Sequence, residues 1–173
     1  MRRHTGMRPQ DIAILVKVYL VEGDSWYIKD LANEMHISQS EFSESLNRSR
    51  YAGLLDDQKQ KVMTRSFYEF LVYGLRFIYP QRPNELTRGI PTAHSHPEFN
   101  KIVLTDVKYV WPDDTAKEIG YAIEPFYANL VKAVKKDADL YLVLSLIEML
   151  RVGKTREVKF AKSKLKELFS IGS

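Results

Sequence analysis

Leu31-Ala-Asn-Glu-Met-His-Ile-Ser38-Gln-Ser-Glu-Phe-Ser-Glu-Ser-Leu46-Asn-Arg-Ser-Arg-Tyr-Ala-Gly-Leu54 carries two short apolar patterns on either side of a tight turn. Leu31, Ala32 and Met35 share one side of a helix running from Lys29 to Met35. Phe42 and Leu46 stand at i, i+4 on a second helix that reaches about Tyr51. His36-Ile37 makes the turn between them. Ser38 with Glu41 three residues on has the form of a capping box, in which each side chain satisfies an orphan backbone N–H of the other. Gly53 ends the second helix, because it accepts the left-handed backbone that stops one. A small residue at Ala32, a tight turn and an N-cap serine together read as a helix-turn-helix.

The flanks extend this pattern. Pro9 suits the first turn of a helix, where its missing N–H costs nothing. Ile12, Leu15, Val16, Tyr19 and Leu20 then recur at helical spacing until Gly23-Asp24-Ser25 breaks it. Trp26-Tyr27-Ile28 reads as a short extended entry. After Gly53, Leu54-Leu55 leads out as a strand, Asp56-Asp-Gln-Lys-Gln-Lys61 is a tight polar reversal, and Val62-Met63 returns. That is the place and length of a small wing. The pattern Leu-Ala-x-x-Met-x-Ile-Ser-x-Ser-x-Phe-Ser-x-Ser-Leu…Ala-Gly-Leu, over roughly residues 9–65, resembles winged helix-turn-helix transcriptional regulators of the broad MarR-like kind. Ser49 departs from it, standing where that pattern usually carries leucine. The segment from Phe67 through Pro91-Thr-Ala-His-Ser95 to Trp111-Pro-Asp is similar to a group of bacterial transcriptional regulators with a Gly-x-Pro-Thr-Ala-His segment. Some proteins of that kind sit beside toxin-like partners.

The resemblance implies a third helix that lies in the major groove of duplex DNA. Gln39, Ser40, Ser43, Glu44 and Asn47 point away from the Phe42/Leu46 stripe and are the expected base readers. Gln and Asn pair with adenine, Glu accepts from cytosine N4, and Ser is permissive. Lys29, Arg48, Arg50 and the wing residues Lys59 and Lys61 are the expected phosphate contacts, which fix register without specifying sequence. Glu41 and Glu44 would repel phosphates.

Composition bounds the alternatives. The chain has 173 residues, no cysteine, a net charge of +4 and 45% hydrophobic residues. Absence of cysteine excludes disulfides, thiolate zinc sites and cysteine catalysis, and fits a reducing cytoplasm. No apolar run reaches the roughly 18 residues of a membrane span. Met7 offers a second start, ahead of which residues 1–6 would be a leader or scar. No Gly-rich phosphate loop, dinucleotide fingerprint or metalloprotease motif is present, so neither cofactor nor enzyme activity is expected. The aromatic residues are spread as core and interface residues are. Residues from Leu150 onward hold seven Lys/Arg against two Glu, so the most basic segment is not the expected DNA reader. A basic last helix is a solvated face or a phosphate contact.

Beyond the wing, Ser66 with Glu69 reads as a second capping box, opening a helix with Phe67, Phe70, Leu71, Leu75, Phe77 and Ile78 that is apolar on more than one face. Residues 80–115 have the composition of a long irregular region, followed by a short strand from Ile119 to Ile123 and a short helix at Leu130–Val134. Asp137 or Asp139 caps an apolar helix from Leu140 to about Val152, ended by Gly153. Thr155 to Phe169 forms a last amphipathic helix. Within Arg88-Gly-Ile-Pro-Thr-Ala-His-Ser-His-Pro97, the residues Arg88, Thr92, His94 and His96 offer a partner or effector site. His94-x-His96 with Glu98 could instead chelate a metal, His94 with Ser95 could pair as in a hydrolase, or the loop could simply pack on the 67–78 helix.

The fold expected is mainly α with a small β wing: a winged helix-turn-helix domain over 8–65 and a mainly helical region over 66–173 that dimerises or senses a partner. The function expected is a cytoplasmic transcriptional regulator that binds double-stranded DNA as a homodimer, with no membrane association. Dimerisation is inferred from the nearly all-apolar helix 140–150. The alternative is a winged-helix interaction module, such as an antitoxin or complex subunit, that binds another protein.

Overall fold

The computed structural model describes residues 6–102 and 105–172. Among them the chain is mainly helical, with one small sheet. The helices are α1 (Pro9–Leu20), α2 (Ile28–Glu34), α3 (Gln39–Tyr51), α4 (Thr64–Tyr73), α5 (Leu75–Ile78), α6 (Leu130–Val134), α7 (Ala138–Val152) and α8 (Thr155–Leu168). The strands are β1 (Leu86–Pro91), β2 (Tyr109–Pro112) and β3 (Ile119–Ala122). None of these helices is long and apolar enough to cross a membrane. Two compact units divide the chain. One holds the sequence up to Phe67 together with Phe126–Leu140, and the other holds Tyr68–Pro125 with Tyr141–Ser173. The boundary at 65/66 read from the sequence lies close to Phe67, while α6 belongs with the first unit.

In the first unit α3 packs on α1 and α2. Its core is Ile12, Leu15 and Val16 with Leu31, Ala32, Met35, Phe42 and Leu46, all buried. The apolar stripes of the sequence thus meet as expected. Trp26-Tyr27-Ile28, expected as a short extended entry, forms no strand, and Ile28 already begins α2. Two helix ends use the same backbone device. His36 and Gly53 take left-handed φ of +53° and +75°. Behind them Ile37 N–H reaches Ala32 O at 2.9 Å and Leu54 N–H reaches Ser49 O at 3.0 Å. This Schellman arrangement satisfies the last carbonyls of each helix. After α3 a single antiparallel bridge joins Leu55 to Val62. Asp56 Oδ1 closes the reversal by accepting the N–H groups of Gln60 (2.7 Å) and Lys61 (3.0 Å). α4 starts at Thr64, so Ser66 lies inside its first turn and is not the N-cap that the Ser66/Glu69 pattern predicts.

Two ion clusters fix this unit. Asp11 is fully buried and takes Arg48 Nε at 2.9 Å, Arg48 Nη2 at 2.8 Å and the backbone N–H of Arg8 at 2.8 Å. A buried carboxylate is tolerated only when charge-paired and hydrogen-bonded in this way. Lys17, also buried, reaches Glu34 and Asp137, each at 2.7 Å. Burial disfavours its charge, but hydrogen bonds to Asp137 and Glu34 win and raise its pKa. Asp137 does double duty, since its other oxygen accepts the Leu140 N–H at 3.0 Å and caps α7.

The second unit corrects the reading of residues 80–115 as irregular. The three strands close on themselves. The first half of β1 pairs antiparallel with β3 (Leu86 opposite Tyr121), its second half pairs antiparallel with β2 (Ile90 opposite Trp111), and β2 pairs parallel with β3. Such closure forces backbones together: a Cβ at Gly89 would lie 2.2 Å from Trp111 O, and one at Gly120 2.8 Å from Lys108 O. Both positions therefore demand glycine. Residues Val143–Arg151 of α7 are buried throughout. This apolar helix is the core of its unit and no dimer face, so the reason for expecting dimerisation through 140–150 falls away. Glu148, fully buried, pairs with Arg151 at 2.7 Å.

These buried ions make stability testable. Arg48→Ala leaves Asp11 buried without its partner, and should cost about 3–5 kcal/mol. Chemical denaturation of the variant checks this, and a cost below about 1 kcal/mol would contradict it. Burial lifts the Glu148 carboxyl from 4.5 to about 7, against the pull of Arg151. The folded chain then holds a proton that the unfolded chain releases, so this group's contribution is complete below pH 4.5 and is lost as pH rises through about 7. Glu148→Gln should flatten the decline in denaturation midpoint between about pH 5 and about pH 8. Equal slopes in variant and parent would contradict the assignment.

Candidate nucleic-acid interface

Ser38 initiates α3 as its N-cap, its Oγ accepting the Glu41 N–H at 3.1 Å. The reciprocal half of the expected capping box is replaced. The Glu41 carboxylate turns to Arg8 at 3.2 Å, to Arg48 at 2.8 Å and to the Gln10 amide. Burial opposes its charge, but the Arg48 guanidinium holds the carboxyl below the usual carboxylate range. Its charge is thereby largely neutralised at the surface.

Of the expected base readers, Gln39, Ser40 and Glu44 are exposed and Ser43 and Asn47 are half-buried. They form one continuous strip, with 39, 43 and 47 in one row and 40 and 44 in the next. Lys29, Arg50 and Lys61 are exposed, and Lys59 is half-buried at a left-handed φ of +59°. Arg48 is the exception. Only 6% exposed and committed to Asp11 and Glu41, it is a structural cation and not a phosphate contact. The i+7 spacing of Glu41 to Arg48 does not signal this, and the decisive partner lies 37 residues away in the sequence. Ser49, unusual beside the regulator pattern, is fully buried, as is Ser45, and neither hydroxyl has a hydrogen-bond partner among the described residues. Small residues at both positions leave room on the inner face of α3, at the cost of burying polar atoms. Tyr27 and Tyr51, which no sequence pattern singles out, are more than 70% exposed.

The turn ahead of α3 is braced by residues from far along the sequence. Tyr127 donates its hydroxyl to Met35 O at 2.9 Å, and Asn129 donates to His36 O at 3.1 Å. Burial pushes the Tyr127 phenol well above its usual value, so it remains a donor. No local pattern marks these contacts.

The expected partner loop is mostly internal. Arg88 is exposed, but Thr92, His94 and His96 are buried. Thr92 donates to Ser145 Oγ at 3.4 Å, and the Tyr141 hydroxyl donates to Pro91 O. His94 Nε2 donates to Val107 O at 2.6 Å, while its Nδ1 lies 3.5 Å from Glu157 Oε1. His96 Nδ1 accepts the Glu98 N–H at 3.1 Å, which places any ring proton on Nε2. Burial pushes His96 down to about 4, so its ring is neutral near pH 7. It packs on Tyr141 at 4.1 Å and Phe99 at 5.0 Å. The loop engages Tyr141 and Ser145 of α7 and Glu157 of α8. The two imidazoles engage separate partners, and the described residues contain no group of three or more His, Asp or Glu placed to hold a metal. Ala93, with φ of +52°, carries backbone strain of about 1–2 kcal/mol. A cleft of about 350 Å³ opens beside His94 and Ser95, with the Lys108–Glu118 pair (2.6 Å) along its wall.

No family model, curated protein or solved structure matches this chain.

Proposed function

We propose that the first unit is a winged helix that binds duplex DNA through α3, and that the protein is a transcriptional regulator. The observation that carries this reading is the strip of exposed Gln39, Ser40 and Glu44 with half-buried Ser43 and Asn47, on a helix whose opposite face is fixed by Phe42, Leu46 and the Asp11–Arg48 pair. A reading helix must be rigidly held, because a misplacement of about 1 Å forfeits bidentate base contacts. Lys29, Arg50, Lys59 and Lys61 remain as phosphate contacts around it. The reversal at Asp56–Lys61 is the wing of this reading.

Selection of bound fragments from a random duplex library tests the proposal directly. Recovery of a preferred sequence is the expected result, and its half-sites would lie about one helical turn, roughly 34 Å, apart in a dimer. Gln39→Ala and Asn47→Ala should each lower discrimination between preferred and random duplex by about 1–3 kcal/mol, the worth of one bidentate pairing with a base. Unchanged discrimination in both variants would remove α3 as the reader.

A dimer of this kind would use the apolar side of α4 and α5. Tyr73, Phe77 and Ile78 are 73%, 76% and 55% exposed there. Exposed aromatic residues in series mark association surfaces more often than isolated ones do. Phe77→Glu should shift the protein from dimer to monomer in sedimentation at about 20 μM, a concentration at which nanomolar to low micromolar dimers remain assembled. A parent protein that is monomeric there overturns the dimer.

One observation favours the second reading, a winged helix that binds protein. With Arg48 withdrawn from the phosphate contacts, α3 keeps Arg50 as the exposed cation on its own length, alongside exposed Glu44. That reading expects no salt-sensitive binding to any duplex in the same selection.

A further inference from the structure

A cleft of about 540 Å³ in the second unit is lined by Arg76 of α5 and by Gly153, Lys154, Thr155, Lys159 and Lys162 at the start of α8, together with one valine. Four cationic side chains face this space and no carboxylate lines it. The reason is visible in how α8 uses its acids. Its sequence offers Glu157 and Glu167 alone. Glu157 turns inward, where one oxygen accepts the Lys154 N–H at 2.7 Å and the other faces His94 at 3.5 Å. Glu167 pairs with Lys164 at 3.1 Å, farther along the helix. Arg76, Lys154, Lys159 and Lys162 are left without ion-pair partners among the described residues.

The bend into α8 is also fixed. A Cβ at Gly153 would lie 2.3 Å from Met149 O of α7 and 3.0 Å from Glu157 Cβ of α8, so this connection demands glycine. The first turn of α8 then opens on the cleft through Thr155. Lys159, Lys162 and Lys166 continue along the helix at i, i+3 and i+7, a stripe of about 10 Å. A stripe of that length matches a polyanion better than a single phosphate. The lining includes no aromatic residue, which argues against a base-stacking site for single strands or a nucleotide.

We propose that this cleft grips the phosphate backbone of duplex DNA, as a contact independent of sequence and separate from α3. The proposal rests on the reading of duplex DNA as the ligand, but it fails separately from the α3 assignment. Arg76 supplies a planar fork suited to a phosphate, and the lysines supply mobile point charges.

The test uses the full chain and two duplexes of equal length, one selected and one random, titrated between about 50 and 200 mM salt. The variant is Lys154→Gln/Lys159→Gln/Lys162→Gln. An equal-charge control carries Lys101→Gln/Lys117→Gln/Lys132→Gln, all at exposed positions outside the cleft lining. Glutamine keeps helix propensity close to that of lysine, and circular dichroism with thermal melting verifies both folds. The cleft variant should bind both duplexes at least about tenfold more weakly, with a salt slope lower by about 2–3. Discrimination between the duplexes should stay as in the parent, and the control should match the parent in slope.

Equal behaviour of cleft variant and control would overturn the proposal. So would weakening confined to the selected duplex. Competition by inorganic pyrophosphate at micromolar concentration, abolished in the cleft variant, would make the cleft a small-anion site instead. Retention on acidic lipid vesicles that depends on these lysines, with duplex binding unchanged, would make it a membrane contact. If Gln39→Ala and Asn47→Ala leave discrimination intact while the cleft variant binds more weakly, the α3 reading fails and the cleft stands.

Discussion

The Asp11–Arg48 pair is the constraint on which the first unit depends. Its two charges are removed from water at the junction of α1 and α3, and Asp11 is saturated by three donors from Arg48 and Arg8. Apolar packing alone leaves a helix freedom to slide by a fraction of a turn, since ridges and grooves tolerate scatter. A two-point guanidinium–carboxylate contact does not. It fixes both the height and the rotation of α3 against α1, and Glu41 extends the grip to the helix N-terminus. Breaking such a pair strands a buried charge, so the arrangement acts as an alignment device more than as a source of net stability.

The turn in front of α3 depends on a second, longer-range contribution. His36 sits at left-handed φ without being glycine. Tyr127 and Asn129 hold the carbonyls of Met35 and His36, and the Lys17–Asp137 contact secures the same returning segment. Part of the support for the α2–α3 turn is thus supplied by residues 126–140, which follow the whole of β1–β3 in the chain. Folding of the first unit therefore requires contacts of high sequence separation, which carry a larger closure entropy than local ones.

What is legible in the sequence follows the range of the interaction. α1 and α3, the Ser38 cap, Gly53 as terminator, Asp137 as cap and β3 are all readable, because each rests on periodicity or a cap within one or two turns. The misreadings share the opposite property. Helical spacing assigns Arg48 to solvent because its partner Asp11 is distant in sequence. Residues 80–115 read as irregular because glycine and proline usually mark loops. In this closed sheet Gly89 and Gly120 are where backbones touch, and Pro91 ends a strand. Thr92, His94 and His96 read as displayed polar groups, whereas Ser145 and Tyr141 of α7 receive Thr92 and His96, and Val107 O and Glu157 engage His94. The strip on α3 is legible as a face, and its rigidity is not.

The inward turn of Glu157 links the loop around His94 to the charge of the surface. An outward carboxylate at position 157 would sit three residues from Lys154 and cancel much of its field, as i,i+3 and i,i+4 pairs do. By engaging His94 and capping the helix start, Glu157 brings the strained Ala93 turn and the basic cleft under one residue. The loop read in the sequence as a partner or effector site thus also has a structural role. It holds an acid away from solvent, and so leaves a surface of one sign where alternating charges would otherwise have neutralised it.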